Sequence, residues 1–218
     1  MPISRPRLMS AIITVLAIFL MIDSHALADR TSPPAAEALI ELLRNGGYSL
    51  YFRHEATDWS QSDDIRKLGD WLSCDGSHIR QLSSSGRKRA TATGQAIRSL
   101  GIPIGKVLAS PYCRTMETAH LMNLGPVEST TDVINLRVAE YFGGQDAIVE
   151  TAKALLASTP DGETNTLIVS HGNVAREATP VYPEEGEAIV FQADGKGNFR
   201  FIGRLTAEGW KRIEQENQ

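Results

Sequence analysis

Three short apolar runs, at residues 48–52, 106–109 and 166–170, alternate along this chain with segments of helical period, and that alternation constrains the fold more than any other feature. A strand that is apolar on both faces has to be covered on both. Helices that connect strand to strand provide the cover, so the pattern predicts a three-layer α/β/α sandwich with a mostly parallel central sheet. Helices are predicted over 35–44, 83–100, 114–122 and 145–157. The first follows Ser32-Pro33-Pro34, carries Leu39, Ile40, Leu42 and Leu43, and stops at Asn45-Gly46-Gly47. The second starts at Ser83-Ser84-Ser85-Gly86 and ends at Gly101-Ile102-Pro103. The fourth turns Ile148, Ala152 and Leu155 or Leu156 inward. A weak strand is expected near Val127, and the tail at 188–192 and 198–205 reads as an antiparallel pair before a short helix carrying Trp210. Residues 58–77 are polar and read as a long excursion over the site rather than as core.

In open α/β sheets, ligands bind in the crevice beyond the carboxyl ends of the strands. Arg53 and His54 follow the first run, Ser110-Pro111 leads from the second into a helix starting at Arg114, and His171 follows the third. Taken singly, each is an ordinary strand end; the conjunction of all four points to chemistry. A phosphoryl group in transfer carries charge on three equatorial oxygens, and two guanidiniums, Arg53 and Arg114, bond such oxygens as charged planar forks. A neutral imidazole, His54, is able to attack phosphorus and form a covalent phosphohistidine, with His171 as a further donor to the phosphoryl oxygens. Tyr112 and Trp59 are candidates for the pocket wall. Glu117, three residues after Arg114 on one helix face, is expected to orient that arginine. His78 and His120 read as surface or packing residues, and no zinc-type spacing links the histidines.

These residues resemble the histidine phosphatase superfamily, the phosphoglycerate mutase-like fold. Its pattern is Arg-His-Gly after the first strand, then Ser-x-x-x-Arg-x-x-x-Thr-Ala, then Ser-His-Gly. Here it stands as Arg53-His54-Glu55, as Ser110 through Arg114 to Thr118-Ala119, and as Ser170-His171-Gly172-Asn173. The match keeps the family's order over most of the chain; its middle motif is the most specific, and Leu82 to Gly86 is similar to the segment that precedes it. The resemblance implies that His54 is phosphorylated, that Arg53, Arg114 and His171 hold the phosphoryl group, that a carboxylic acid protonates the leaving oxygen, and that neither metal nor cofactor is required. Gly172 and Asn173 stand where one branch keeps its acid. The mutase branch keeps its acid in a Glu-x-x-x-Gly loop that Glu140 to Gly144 matches, so Glu140 is the expected donor, with Glu55 and Glu187 as fallbacks. Glu55 replaces the family's glycine, where it repels a second substrate anion or turns outward. Thr57 and Ser60 stand for the family's Ser and Asn, and no phosphate contact is carried over to them.

Arg5 and Arg7, an apolar run over 9–22 and Ala26-Leu27-Ala28 describe a secretory signal peptide cut between Ala28 and Asp29. The run is shorter than the roughly 20 residues of a spanning helix, so no membrane anchor is expected after cleavage. Residues 29–218 are then one exported domain, periplasmic or secreted. Cys74 and Cys113 either pair there or remain thiols; paired, they add about 4 kcal/mol of stability in the chain-entropy model. The formal net charge of −4 argues against a nucleic-acid partner. A phosphorylated small molecule or surface component is the expected substrate, a mutase or a non-catalytic phosphate-ligand binding protein the alternatives, and oligomeric state is not legible.

Overall fold

Strand β1 (Ser49–Arg53) sends Leu50 and Phe52 into one apolar core and Tyr51 into another, which is the period-two alternation that a sheet covered on both faces requires. The computed structural model describes residue 1 and residues 36–217. The expected signal segment and its cut lie, residue 1 apart, outside the described residues. The remaining strands are β2 (Ile104–Ala109), β3 (Val127–Ser129), β4 (Asn165–Ser170), β5 (Ala188–Ala193) and β6 (Phe199–Leu205). They form one sheet in the order β3-β2-β4-β1-β5-β6, with β1 to β4 mutually parallel and β5 and β6 antiparallel.

Four helices cover the Leu50 face: α1 (Ala36–Arg44) through Leu39, Ile40 and Leu43, α2 (Ser84–Ser99) through Ala96 and Ile97, α3 (Cys113–Met122) through Ala119 and Met122, and the last helix, α6 (Ala207–Glu216), through Trp210 and Ile213. On the Tyr51 face lie α4 (Gln145–Leu156), with Ile148, Ala152 and Leu156 buried, and the short α5 (Gly172–Ala178), which follows His171 and has no counterpart among the expected helices. The expected three-layer α/β/α sandwich is thus the observed one. Among the described residues no helix is long and apolar enough to cross a membrane.

The polar excursion departs from expectation in one respect. It was expected to stay out of the core, yet Trp71, in a 3-10 turn over Asp70–Leu72, is buried against Phe142 with ring centroids 5.5 Å apart. Its large apolar ring outweighs the polar residues around it. Cys74 and Cys113 are disulfide-bonded, with Cα atoms 5.3 Å apart, which pins the excursion to the first residue of α3. The excursion ends against the start of α2, where Ser83 caps the helix by accepting from the Gly86 amide at 3.0 Å.

Gly86 has no room for a side chain: a Cβ there would stand 2.1 Å from the carbonyl oxygen of Ala56, two residues past His54. Gly86→Ala is therefore expected to destabilise the fold by about 3 kcal/mol, read from urea unfolding. A loss no larger than that of a neutral surface substitution would overturn this account of the helix start.

Candidate active site

Strand register assembles the site. Arg53 on β1 pairs with Ser170 on β4, and Ala109 on β2 pairs with Val169 on the other side of β4. The ladder continues one step further, the His54 amide donating to Ser170 O and the Ser110 amide to Val169 O, both at 3.0 Å. Three chain segments therefore leave the sheet at one level, carrying His54, His171 and Ser110, and the two imidazole centroids lie 5.6 Å apart. The Tyr51 hydroxyl braces this edge from below, 2.7 Å from His171 O and 2.8 Å from Ser170 Oγ.

Both imidazoles are buried, His54 3 % and His171 1 % exposed. His54 Nδ1 lies 2.9 Å from the Glu55 carbonyl oxygen. A carbonyl only accepts, so Nδ1 carries the proton and Nε2 keeps its lone pair. Burial, and then the Arg114 cation, hold the His54 pKa well below the ordinary imidazole value, so the ring is neutral. The same two causes, followed by His54 itself, act on His171. Nε2 of His171 is 2.8 Å from Ser110 Oγ, while its buried Nδ1 has no partner. A serine hydroxyl donating to Nε2 leaves Nδ1–H as a free donor.

A cavity of about 170 Å³ opens at these rings, lined by Arg53, Arg114 and Asn173, and by five groups that the sequence reading did not place there: Asp63, Arg80, Asn135, Arg137 and Tyr182. Arg114 is buried, and its two terminal nitrogens hold the Asp63 carboxylate at 2.9 and 3.1 Å. Asp63 also accepts from the Arg80 amide at 3.1 Å, and Arg137 Nη1 stands 4.0 Å away. Glu117, expected as the partner of Arg114, instead grips Arg87 of α2 at 2.6 and 3.1 Å. It is the half-buried flank of α3 that faces α2, whereas Arg114 points into the buried edge. Arg53 donates to Pro183 O at 3.1 Å, and its Nη2 lies 3.7 Å from Glu185. Trp59 lines the mouth; Tyr112 packs beneath, its ring centroid 4.8 Å from that of His171 and 4.5 Å below the Arg114 guanidinium.

The three expected acids do not meet the cavity. Glu55 neither faces the substrate nor turns outward: it is fully buried and bound to Arg89 of α2 at 2.6 Å, with burial raising its pKa against the lowering by Arg89. Its oxygens fill the space beside Gly186, whose φ of +81° and whose Cβ position 2.6 Å from Glu55 Oε1 suit glycine alone. Glu187 is buried in an ion pair with Arg204 at 2.5 Å. Glu140 is exposed on a 3-10 turn over Leu136–Phe142, outside the cavity lining. No simple pattern separates Asp63 from the adjacent Asp64, and Arg137 lies in a segment with no readable period.

In ligand-free protein, ring 15N shifts of His54 and His171 at about pH 6 are expected to be those of neutral imidazole, where an ordinary imidazole is largely protonated. The sign for stability follows. Both folded-state pKa values are depressed, so as pH falls through about 6.5 the unfolded chain takes up protons that the native state refuses, and stability declines. Ordinary titration of either ring near 6.5 would contradict this.

No protein-family model matches the chain. Over 146 residues it is 29 % identical to the agropine synthesis reductase of Rhizobium rhizogenes, covering 58 % of this chain and 33 % of that protein; the chain thus spans about a third of the length of that curated relative. The structure is similar to that of the open reading frame Rv3214 product from Mycobacterium tuberculosis, with a TM-score of 0.51, 20 % identity, and coverage of 74 % of this chain and 98 % of that one. It is similar also to an Escherichia coli protein provisionally assigned as an alpha-ribazole-5′-P phosphatase, with a TM-score of 0.51, 15 % identity, and coverage of 72 % and 100 %. This chain has the fold of these two solved structures, the three-layer α/β/α sandwich expected from its sequence.

Proposed function

We propose that this protein is an exported phosphomonoester hydrolase acting through a covalent phosphohistidine on His54. The observation that carries this reading is the state of that ring: neutral, with Nδ1 engaged on Glu55 O and Nε2 free, in a cavity lined by Arg53 and Arg114. Nε2 attacks phosphorus, the bond from phosphorus to the ester oxygen breaks, and the leaving oxygen takes up a proton. Water then attacks the phosphohistidine, the P–N bond breaks, and inorganic phosphate leaves with His54 restored. Arg53, Arg114 and the Nδ1–H of His171 hold the equatorial oxygens throughout.

Glu140 is the donor in this reading. The buried carboxylates about the site are each held by an arginine, Glu55 by Arg89, Glu187 by Arg204 and Asp63 by Arg114, whereas Glu140 stands on the turn that also carries Arg137 into the cavity lining. Export is supported by the basic, apolar and Ala-x-Ala features of residues 5–28, and by the Cys74–Cys113 disulfide, a bond at home in an oxidising compartment.

Expressed whole, the chain is expected outside the cytoplasm with Asp29 as its first residue. That material should hydrolyse an aryl phosphate in the presence of chelator, and His54→Ala should lower kcat at least about a thousandfold. Turnover that survives the substitution, or a retained signal segment, would refute the corresponding half of the reading. Leaving groups separate the acid: Glu140→Gln is expected to slow alkyl phosphates about a hundredfold and to spare nitrophenyl phosphate, whose phenolate needs no proton. Equal effects on both would remove Glu140 from the role.

A further inference from the structure

We propose that Asn173 accepts a hydroxyl of the substrate's leaving group, and hence that the substrate is the phosphomonoester of a polyol or sugar. This deepens the phosphoryl-transfer reading above and rests on it.

The cavity lining holds two kinds of buried polar atom that lack a partner among the described residues. Four are donors: the Nε–H of Arg53, Arg80 and Arg114, and the Nδ1–H of His171. A single phosphoryl dianion, with lone pairs on every oxygen, is the ligand that such donors call for. The fifth is of opposite sense. Asn173 Oδ1 only accepts, and no phosphoryl oxyanion brings it a proton.

The neighbours of that amide fix which of its atoms is which. Asn135 Oδ1 accepts from the Arg137 amide at 3.0 Å, capping the 3-10 turn, and the same oxygen lies 2.8 Å from the Asn173 side chain. An oxygen already bound to a backbone N–H is an acceptor, so Asn173 presents Nδ2 to it; the reverse assignment would set two amide oxygens against each other. Oδ1 of Asn173 is thereby left without a donor. The neighbouring side-chain acceptors are engaged, Asn135 Oδ1 on these two donors, and Asp63 on Arg114 and the Arg80 amide.

A buried carbonyl oxygen without a donor is costly, and it persists in a binding cavity where the ligand brings the donor. Four lining guanidiniums, Arg53, Arg80, Arg114 and Arg137, repel a cationic donor, which leaves a neutral one. In a cavity of about 170 Å³ that also houses the phosphoryl group, the donor is small and close to the ester: a hydroxyl on a carbon near the ester carbon. Trp59 and Tyr182, both exposed at the mouth, offer ring surface to the carbon skeleton that carries it.

Titration calorimetry on the protein purified from whole-chain expression tests this, with propylphosphonate against its 2-hydroxy and 2,3-dihydroxy derivatives, none of which has a leaving group. At least one hydroxylated compound is expected to bind about tenfold more tightly than propylphosphonate. Asn173→Ala should bring that ratio close to one, and Asn173→Leu, nearer in volume, takes its place if the smaller side chain does not fold. If propylphosphonate binds and neither derivative exceeds it, or if the advantage survives loss of the amide, the inference is overturned and the phosphoryl site stands. A wild-type ratio of one, with phosphohistidine accumulating in Asn173→Ala from every ester, would overturn it in favour of an amide that holds the hydrolytic water. If none of the three compounds binds, the phosphoryl site falls as well; aryl phosphate turnover tests the hydrolase reading separately.

Discussion

The buried pair of Arg114 and Asp63 is the interaction on which the site depends. A guanidinium 1 % exposed and a carboxylate 2 % exposed are each far too costly to bury alone, and together they are tolerable only in good geometry. The two-point contact provides that geometry and ties a residue of α3 to a residue of the polar excursion, fifty-one positions apart. The disulfide repeats the tie one residue earlier, at Cys113, so a covalent bond and an ion pair fasten the same two pieces of chain. Arg80, Trp59 and the edge of the cavity follow from that fastening, because their backbone belongs to the fastened loop.

Below this lies the sheet. The imidazoles meet because β1 and β4 are hydrogen-bonded neighbours in parallel register, and a slip of one residue would turn His54 or His171 to the opposite side. The two rings need no charged partner to be held. Backbone carbonyls, a serine hydroxyl and burial position them, which leaves them neutral in a cavity crowded with cations. A neutral imidazole beside fixed positive charge is the electrostatic arrangement that the proposed phosphoryl transfer calls for.

Much of this was legible in the residues, and the reasons for the remainder are physical. Strands 48–52, 106–109 and 166–170 announced themselves by apolar runs, and Arg53, His54, Arg114 and His171 by standing just beyond them. Helix α5, only seven residues long, offers too short a period to read. The excursion hid most: nothing local tells Asp63, which turns inward, from Asp64, which pairs on the surface with Arg66. Nor could helical spacing reveal that Glu117 belongs to Arg87, because the pairing depends on how α2 packs against α3. The same holds for the buried Glu55, whose arginine partner stands thirty-four residues away.

Strand order carries one more consequence. β1 is made first, yet both of its neighbours, β4 and β5, are made more than a hundred residues later. A chain that ends before residue 165 has no partner for either edge of β1 and hence nothing to hold His54 in place. Such a chain holds the residues of the site without the site, which comes into being only when the last quarter of the sequence closes the sheet.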